Sequence, residues 1–350
     1  MKVLVTGSDG YIGAVACPYL MAAGHEVVGL DSGFYRQGWL FEPGVSRPAT
    51  LTMDIRDITA RDLQGFDAVV HMAELSNDPL AQQSPELTRD INYRGSIRLA
   101  EAARQAGVTR FVYMSSCSVY GVADGDTILT EDSPVKPQTA YAECKVDVER
   151  DLVRMMAPEF SPCFLRNATV FGASPRQRFD LVLNDLCGLA WTTGKITLLS
   201  NGMPWRPLVH VQDVCQAVHL ALQAPAEKVA GVAMNVGSDD QCYRVIDIAH
   251  IVAAAFPNCE IEVGPPSADN RSYRVSFARI GKMLPQFRCQ WNAQSGALQM
   301  KQLFERIGME EADFRAPAYT RQKMVRKLCD SGLLDEGLRW TEARFGAVAA

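Results

Sequence analysis

No stretch of the 350-residue sequence approaches the ~20 apolar residues that a membrane-spanning helix needs, which argues against a membrane partner. Nor is there a surplus of positive charge. Forty acidic against 35 basic residues give a formal net charge of -5 and a pI near 5.6, so nucleic acid is not an expected partner and any phosphate contact must be local. The ten cysteines form no CxxC pair, and neither a disulfide framework nor a metal site is expected from their scattered spacing. The chain opens on strand-like residues, Val3 to Thr6, without the apolar stretch of about 7–15 residues found in a signal peptide. A reducing cytoplasm is the expected location. With 47% hydrophobic and 21% charged residues and no low-complexity tract, disorder is expected only at the ends.

What is present is an alternation of apolar strands and amphipathic helices. The strands read as Lys2 to Thr6, Glu26 to Leu30, Ala49 to Met53, Ala68 to His71, Phe111 to Met114 and Ser161 to Leu165. Helices are expected over Tyr11 to Ala23, Glu86 to Ala106 and Ala140 to Met156. This repetition predicts an α/β fold, a Rossmann-type doubly wound parallel sheet with a smaller C-terminal α/β lobe. Residues 1–165 form the expected nucleotide-binding domain, with 206–236 returning to it; residues 166–205 and 237–350 form a substrate-binding lobe and a C-terminal extension. Within that extension, Ala316 to Trp340 reads as one amphipathic helix carrying Tyr319, Met324, Val325, Leu328 and Leu333.

The first strand runs into Gly7, Gly10 and Gly13 at GxxGxxG spacing, followed by a helix. Gly7 permits the tight turn, Gly10 lets a diphosphate approach the backbone, and the helix start at Tyr11 and Ile12 offers free N–H groups and the positive end of a dipole. The second strand ends in Asp31, placed to accept hydrogen bonds from adenosine ribose hydroxyls. Ser32, Gly33 and Phe34 follow it rather than a basic residue, so a ribose phosphate would meet an unshielded carboxylate and NAD is favoured over NADP. Further on, Tyr141 and Lys145 stand four residues apart on one helical face, where an ammonium favours the phenolate form of the tyrosine.

These motifs, with Asp54-Ile55, His71-Met72-Ala73, Asn92, Ser115-Ser116 and the segment Arg206 to Asp213, make the chain resemble the NAD-dependent nucleotide-sugar epimerase/dehydratase family of extended short-chain dehydrogenases/reductases. The resemblance spans about the first 290 residues and fades beyond Gly308. It implies a catalytic set of Tyr141 as base, Lys145, Ser116 on the reacting hydroxyl, and Cys117. It implies NAD contacts from Gly7, Gly10, Tyr11, Ile12, Gly13, Asp31, Asp54, Ile55, Ala73, Asn92, Ser115, Tyr141 and Lys145. Substrate contacts are expected from Glu74, Ser76, Ser118, Asn167, Thr169, Arg178, Arg206 and Arg271, with Arg206 and Arg271 toward a diphosphate. The partner implied is a nucleotide-diphosphate sugar. Relatives of this kind pair as homodimers through the helices Glu86 to Ala106 and Ala140 to Met156 in a four-helix bundle.

At the positions where related 4,6-dehydratases carry an Asp-Glu pair, this sequence has Cys117 and Ser118. The reading is therefore an NAD-dependent epimerase acting at C4 through a transient 4-keto sugar. One alternative is a dehydratase, by 4,6- or atypical 5,6-elimination, with Cys117 as proton shuttle; another is a non-catalytic NAD-binding protein, against which the intact Ser116, Tyr141 and Lys145 speak. Glu74 also departs from the small residue usual at its position, and either caps a loop or adds an ionisable group to the site.

Overall fold

The computed structural model describes residues 1–76, 82, 84–123, 127–266 and 272–342. Its centre is a seven-stranded, wholly parallel sheet. The strands are β1 (Lys2–Thr6), β2 (Glu26–Asp31), β3 (Thr50–Thr52), β4 (Ala68–His71) and β5 (Arg110–Ser116), then Ser161–Asn167 and Ala233–Val236. From one edge the order is Ala233–Val236, Ser161–Asn167, β5, β4, β1, β2, β3. The strand order reverses between β1 and β4, so a crevice opens outside their carboxyl ends, where such sheets bind ligands.

Helices cover both faces of this sheet, which explains why its strands are continuously apolar instead of alternating. Val3 and Val5 of β1 face one core with Val70, Val112, Val214 and Val218. Leu4 faces the other, with Leu30, Val69, Leu99, Phe111 and Leu152. The second lobe has its own core between the helices Val182–Thr193, Val245–Ala255 and Ala293–Ile307, where Leu183, Cys187, Ile248, Val252, Met300 and Phe304 meet. All ten cysteines are free thiols, among the described residues no acidic, histidine and cysteine cluster could hold a metal, and no described helix is long and apolar enough to cross a membrane.

Two sequence expectations need correction. The helix expected over Glu86 to Ala106 is interrupted: Pro85–Thr88 and Gly95–Gln105 are α-helical, but Arg89–Arg94 is wound wider, as a π-helix. The wide turn carries Asn92 inward, and its carboxamide brackets the backbone of Leu75, accepting from the N–H at 2.8 Å and donating to the carbonyl at 3.1 Å. Ala316 to Trp340 is not one helix either. A 3-10 turn at Pro317–Tyr319 precedes a helix limited to Arg321–Asp330, and Gly332, at φ 69°, turns the chain back toward a bridge between Leu334 and Trp340. Tyr319 packs on Phe179 of the second lobe, with ring centroids 5.9 Å apart, whereas Met324, Val325 and Leu328 pack with Phe34, Leu75 and Ile91 of the first.

Candidate functional site

A cleft of about 590 Å³ runs along the carboxyl ends of β1, β2, β4 and β5 and under the second lobe. At one end lies the glycine-rich turn. A Cβ on Gly7 (φ +75°) would sit 3.0 Å from the Ala73 nitrogen, and one on Gly13 only 2.2 Å from the Gly7 carbonyl, so the tight turn excludes other side chains. No side chain caps the helix Gly13–Ala22; its Ala14 and Ala16 N–H groups bond the Gly10 and Ile12 carbonyls at 2.9 and 2.8 Å, so what it offers a ligand is the Gly13 end and the positive pole of its dipole. The opposite wall is fixed by a buried network: the Thr6 hydroxyl bonds His71 Nδ1 at 2.7 Å and accepts from the Met72 and Ala73 N–H groups at 3.2 and 3.3 Å. Burial holds His71 down at about 3, so it stays neutral. Asp31 accepts from Gly33 N–H at 2.7 Å and Asp9 N–H at 3.1 Å, which fixes its carboxylate on the cleft wall. Asp54 and Ile55 line the same end. The tight turn, the uncapped helix start and the held carboxylate fit the diphosphate and ribose of NAD.

At the other end Thr139 caps the helix Ala140–Arg154 by accepting from the Ala142 N–H, which sets Tyr141 in the first turn and Lys145 one turn later. Both line the cleft with Ser115, Ser116 and Ser118. The Lys145 ammonium is 5.3 Å from the Tyr141 ring and donates to the Met114 carbonyl. It also forms an ion pair with Glu74 at 2.7 Å, both side chains almost wholly buried, and the Tyr113 hydroxyl donates to the same carboxylate at 2.7 Å. Burial works against the Lys145 charge, but Glu74, aided by Tyr141 and Glu149, outweighs it and raises the lysine's pKa above its ordinary value. Glu74 is thus no loop cap; it holds the lysine that faces the tyrosine.

Beyond Tyr141 the cleft is bounded by Asn167, Thr169, Arg178 and Arg206, with Ser76 beside them. Arg178 donates to Asp180 at 2.9 Å and to the Ser76 hydroxyl at 3.2 Å. Two buried acceptors here, Ser118 Oγ and Asn167 Oδ1, have no hydrogen-bond partner among the described residues, which suits a hydroxyl-rich ligand. Tyr11 lines the cleft too, but its hydroxyl donates across to the Gly172 carbonyl at 2.8 Å and so ties the glycine-rich turn to the second lobe.

Two expected site residues do not reach the cleft. Asn92 is buried against Leu75, its carboxamide spent on that backbone. Cys117 opens the 3-10 turn Cys117–Tyr120, and the turn rotates its thiol into the core, where it donates to the Arg166 carbonyl at 3.1 Å. Burial there pushes the thiol pKa well above its ordinary value. Arg271 lies outside the described residues. In the other direction, Tyr35, Asp180, Tyr273 and Arg321 line the cleft without any motif to announce them. Arg36, beyond the three residues read after Asp31, pairs with Asp9 at 3.0 Å. That pairing spends the Arg36 charge on Asp9.

The profile of the NAD dependent epimerase/dehydratase family matches residues 3–237. A UDP-glucose 4-epimerase of Mycolicibacterium smegmatis is 30% identical over 302 residues, 81% of this chain and 92% of that protein. Among solved structures, MoeE5 in complex with UDP-glucose and NAD is 26% identical with a TM-score of 0.75, covering 88% of this chain and 100% of that one. An NAD-dependent NDP-hexosamine 5,6-dehydratase is 25% identical with a TM-score of 0.76, covering 87% and 98%. With the dinucleotide cradle and the Ser116, Tyr141, Lys145 constellation on one cleft, the chain belongs to the NAD dependent epimerase/dehydratase family.

Proposed function

We propose that the chain is an NAD-dependent nucleotide-sugar epimerase acting at C4 through a transient 4-keto sugar. The observation that carries this reading is the division of the cleft: Ser116, Tyr141 and Lys145 line it, whereas the thiol of Cys117 is turned away. The cleft-lining carboxylates are otherwise engaged. Asp31 and Asp54 stand at the adenosine end, Asp180 pairs with Arg178, and Glu74 pairs with Lys145. An elimination needs an additional acid and base near the sugar; an epimerisation needs neither.

When bound, NAD supplies a hydride acceptor at the carbon that carries the reacting hydroxyl. Tyr141 takes the hydroxyl proton, Lys145 favours the phenolate by its charge, and Ser116 orients the hydroxyl. The same residues return the proton after the keto-sugar has turned over. Arg178 and Arg206 hold the substrate diphosphate, with Arg271 as a further candidate, and Asn167, Ser118, Thr169 and Ser76 contact the sugar.

The test is a panel of nucleotide sugars incubated with the enzyme in deuterated water and read by NMR and mass spectrometry. The expected product is an isobaric C4 epimer without solvent deuterium, and Cys117→Ala is expected to slow its formation by less than about tenfold, under ~1.4 kcal/mol of barrier. Loss of one water, with deuterium at C5 or C6, transfers the assignment to a dehydratase, the reading favoured by the likeness to the 5,6-dehydratase. The proposal extends to a homodimer through the paired helices at 85–105 and Ala140–Arg154. Light scattering is expected to give twice the chain mass, and a monomer at micromolar concentration refutes that part.

A further inference from the structure

The glycine-rich turn is closed from outside by the end of the chain. After the second lobe, Thr320, Arg321 and Gln322 return to line the cleft. Arg321 is 6% exposed, and its guanidinium lies 3.8 Å over the Tyr35 ring. One of its terminal nitrogens is 3.7 Å from where a Cβ on Gly10 would stand, which puts the charge beside the backbone that a diphosphate approaches. It forms no ion pair among the described residues. Arg176 stands nearby, fully buried, its Nε donating to the Asp9 carbonyl of the same turn at 2.9 Å, while its two terminal nitrogens have no hydrogen-bond partner among the described residues. Burial and then the neighbouring Arg321 charge push Arg176 down to about 10. The Asp9, Asp31 and Asp180 carboxylates temper these two charges without an ion pair to either among the described residues, and two buried guanidinium groups that repel each other beside a diphosphate-shaped turn suit an anion.

The residues after Arg321 are fastened to the adenosine end of the cleft. Met324, Val325 and Leu328 pack with Phe34, Leu75 and Ile91. The Trp340 indole donates to the Ser32 carbonyl at 2.7 Å, immediately after Asp31, and its ring meets Phe34 edge-on at 5.7 Å. Arg339 pairs with Asp57 and, at 3.3 Å, with Asp54. Residues 320–342 therefore run from the diphosphate turn to the adenine wall, held at both ends.

We propose that Arg321 binds the diphosphate of the dinucleotide and that the C-terminal segment carrying it straps the cofactor into the cleft. This rests on the NAD reading of the site and adds to it a contact from outside both the glycine-rich turn and its helix. A planar guanidinium can hold a phosphate in two parallel hydrogen bonds, and withdrawing it requires moving a segment anchored by Trp340 and Arg339.

The test compares the full-length protein with Arg321→Met, Arg321→Lys and Arg339→Ala, each checked for an unchanged melting temperature without ligand. Calorimetry is run with NAD, ADP, adenosine and UDP, and NADH release is followed by its fluorescence. Arg321→Met is expected to weaken NAD and ADP by about 10- to 100-fold while leaving adenosine and UDP within about twofold, since a hydrogen bond to a charged group is worth roughly 1.5–3 kcal/mol. Arg321→Lys, which keeps the charge without the fork, is expected to lie between, and it carries the test if the methionine variant does not fold. Arg339→Ala is expected to speed NADH release several-fold. NAD affinity kept within about twofold in Arg321→Met, an equal loss for adenosine, or a loss for UDP in place of NAD overturns the contact. An unchanged release rate in Arg339→Ala overturns the strap. A wild type that binds UDP but no NAD removes the cofactor reading itself, and the inference with it.

Discussion

Replacing Tyr141 by phenylalanine is expected to reduce kcat by at least about a thousandfold while NAD still binds, within the range that a positioned general acid-base supplies. The substitution removes one oxygen and almost no volume, and the helix that carries the ring keeps its Thr139 cap. The oxygen lost is the one group in the constellation able to take and return the hydroxyl proton. Ser116 cannot replace it, because a serine hydroxyl without a base beside it is a weak acceptor, and its oxygen already accepts from the Ser118 N–H at 3.1 Å. Lys145 cannot either, because Glu74 holds it as an ammonium. Initial rates with the best nucleotide sugar from the panel, together with calorimetry for NAD, make the check. Activity within a few-fold of wild type means that the base is elsewhere, whereas a parallel loss of NAD binding means that the ring was structural.

The largest stability effect is expected at Arg166, where replacement by methionine should cost about 3–5 kcal/mol, the usual result of leaving one partner of a buried ion pair alone. Arg166 pairs with Glu149 at 2.6 Å, with both side chains over nine-tenths buried. The Ser115 hydroxyl donates to the same carboxylate, Arg166 donates to the Tyr120 hydroxyl at 3.0 Å, and Tyr120 donates to Asn235 at 2.8 Å. The network ties β5, the strands Ser161–Asn167 and Ala233–Val236, and the helix bearing Tyr141 and Lys145 into one unit. Burial opposes the charge on Arg166, and the Glu149 carboxylate more than restores it. In Arg166→Met the carboxylate stays buried with only neutral donors. Urea unfolding read by circular dichroism should show the loss in the transition of the larger lobe. The double variant Arg166→Met with Glu149→Met should recover most of it, because neither charge is then stranded. A single-variant loss below about 1 kcal/mol, or a double variant no better than the single, contradicts the account.

The parts of this protein that could be read from its sequence are those in which chemistry and geometry lie close together along the chain. Gly7, Gly10 and Gly13 sit in one turn, Tyr141 and Lys145 in adjacent turns of one helix, and the parallel sheet announces itself through apolar runs whose period is local. Asp31 belongs with them, because a strand end after a glycine-rich turn has only one place to go in this fold.

What tertiary structure decided are the contacts between residues far apart in sequence, or those that depend on a single rotation of the backbone. Cys117 and Ser118 are neighbours, yet the 3-10 turn sends the hydroxyl to the cleft wall and the thiol into the core; no periodicity marks such a turn beforehand. Asn92 is drawn inward on a π-helical segment and spent on the Leu75 backbone, 17 positions earlier. The Glu74 to Lys145 pair spans 71 positions, and the approach of Arg321 to Gly10 spans 311. A charged residue in an isolated sequence reads as a solvated surface group, because water is its cheapest partner. Only packing of the two lobes and the returning C-terminal segment withdraws that water from Glu74, Arg166, Arg176 and Arg321, and so turns ordinary charges into a site.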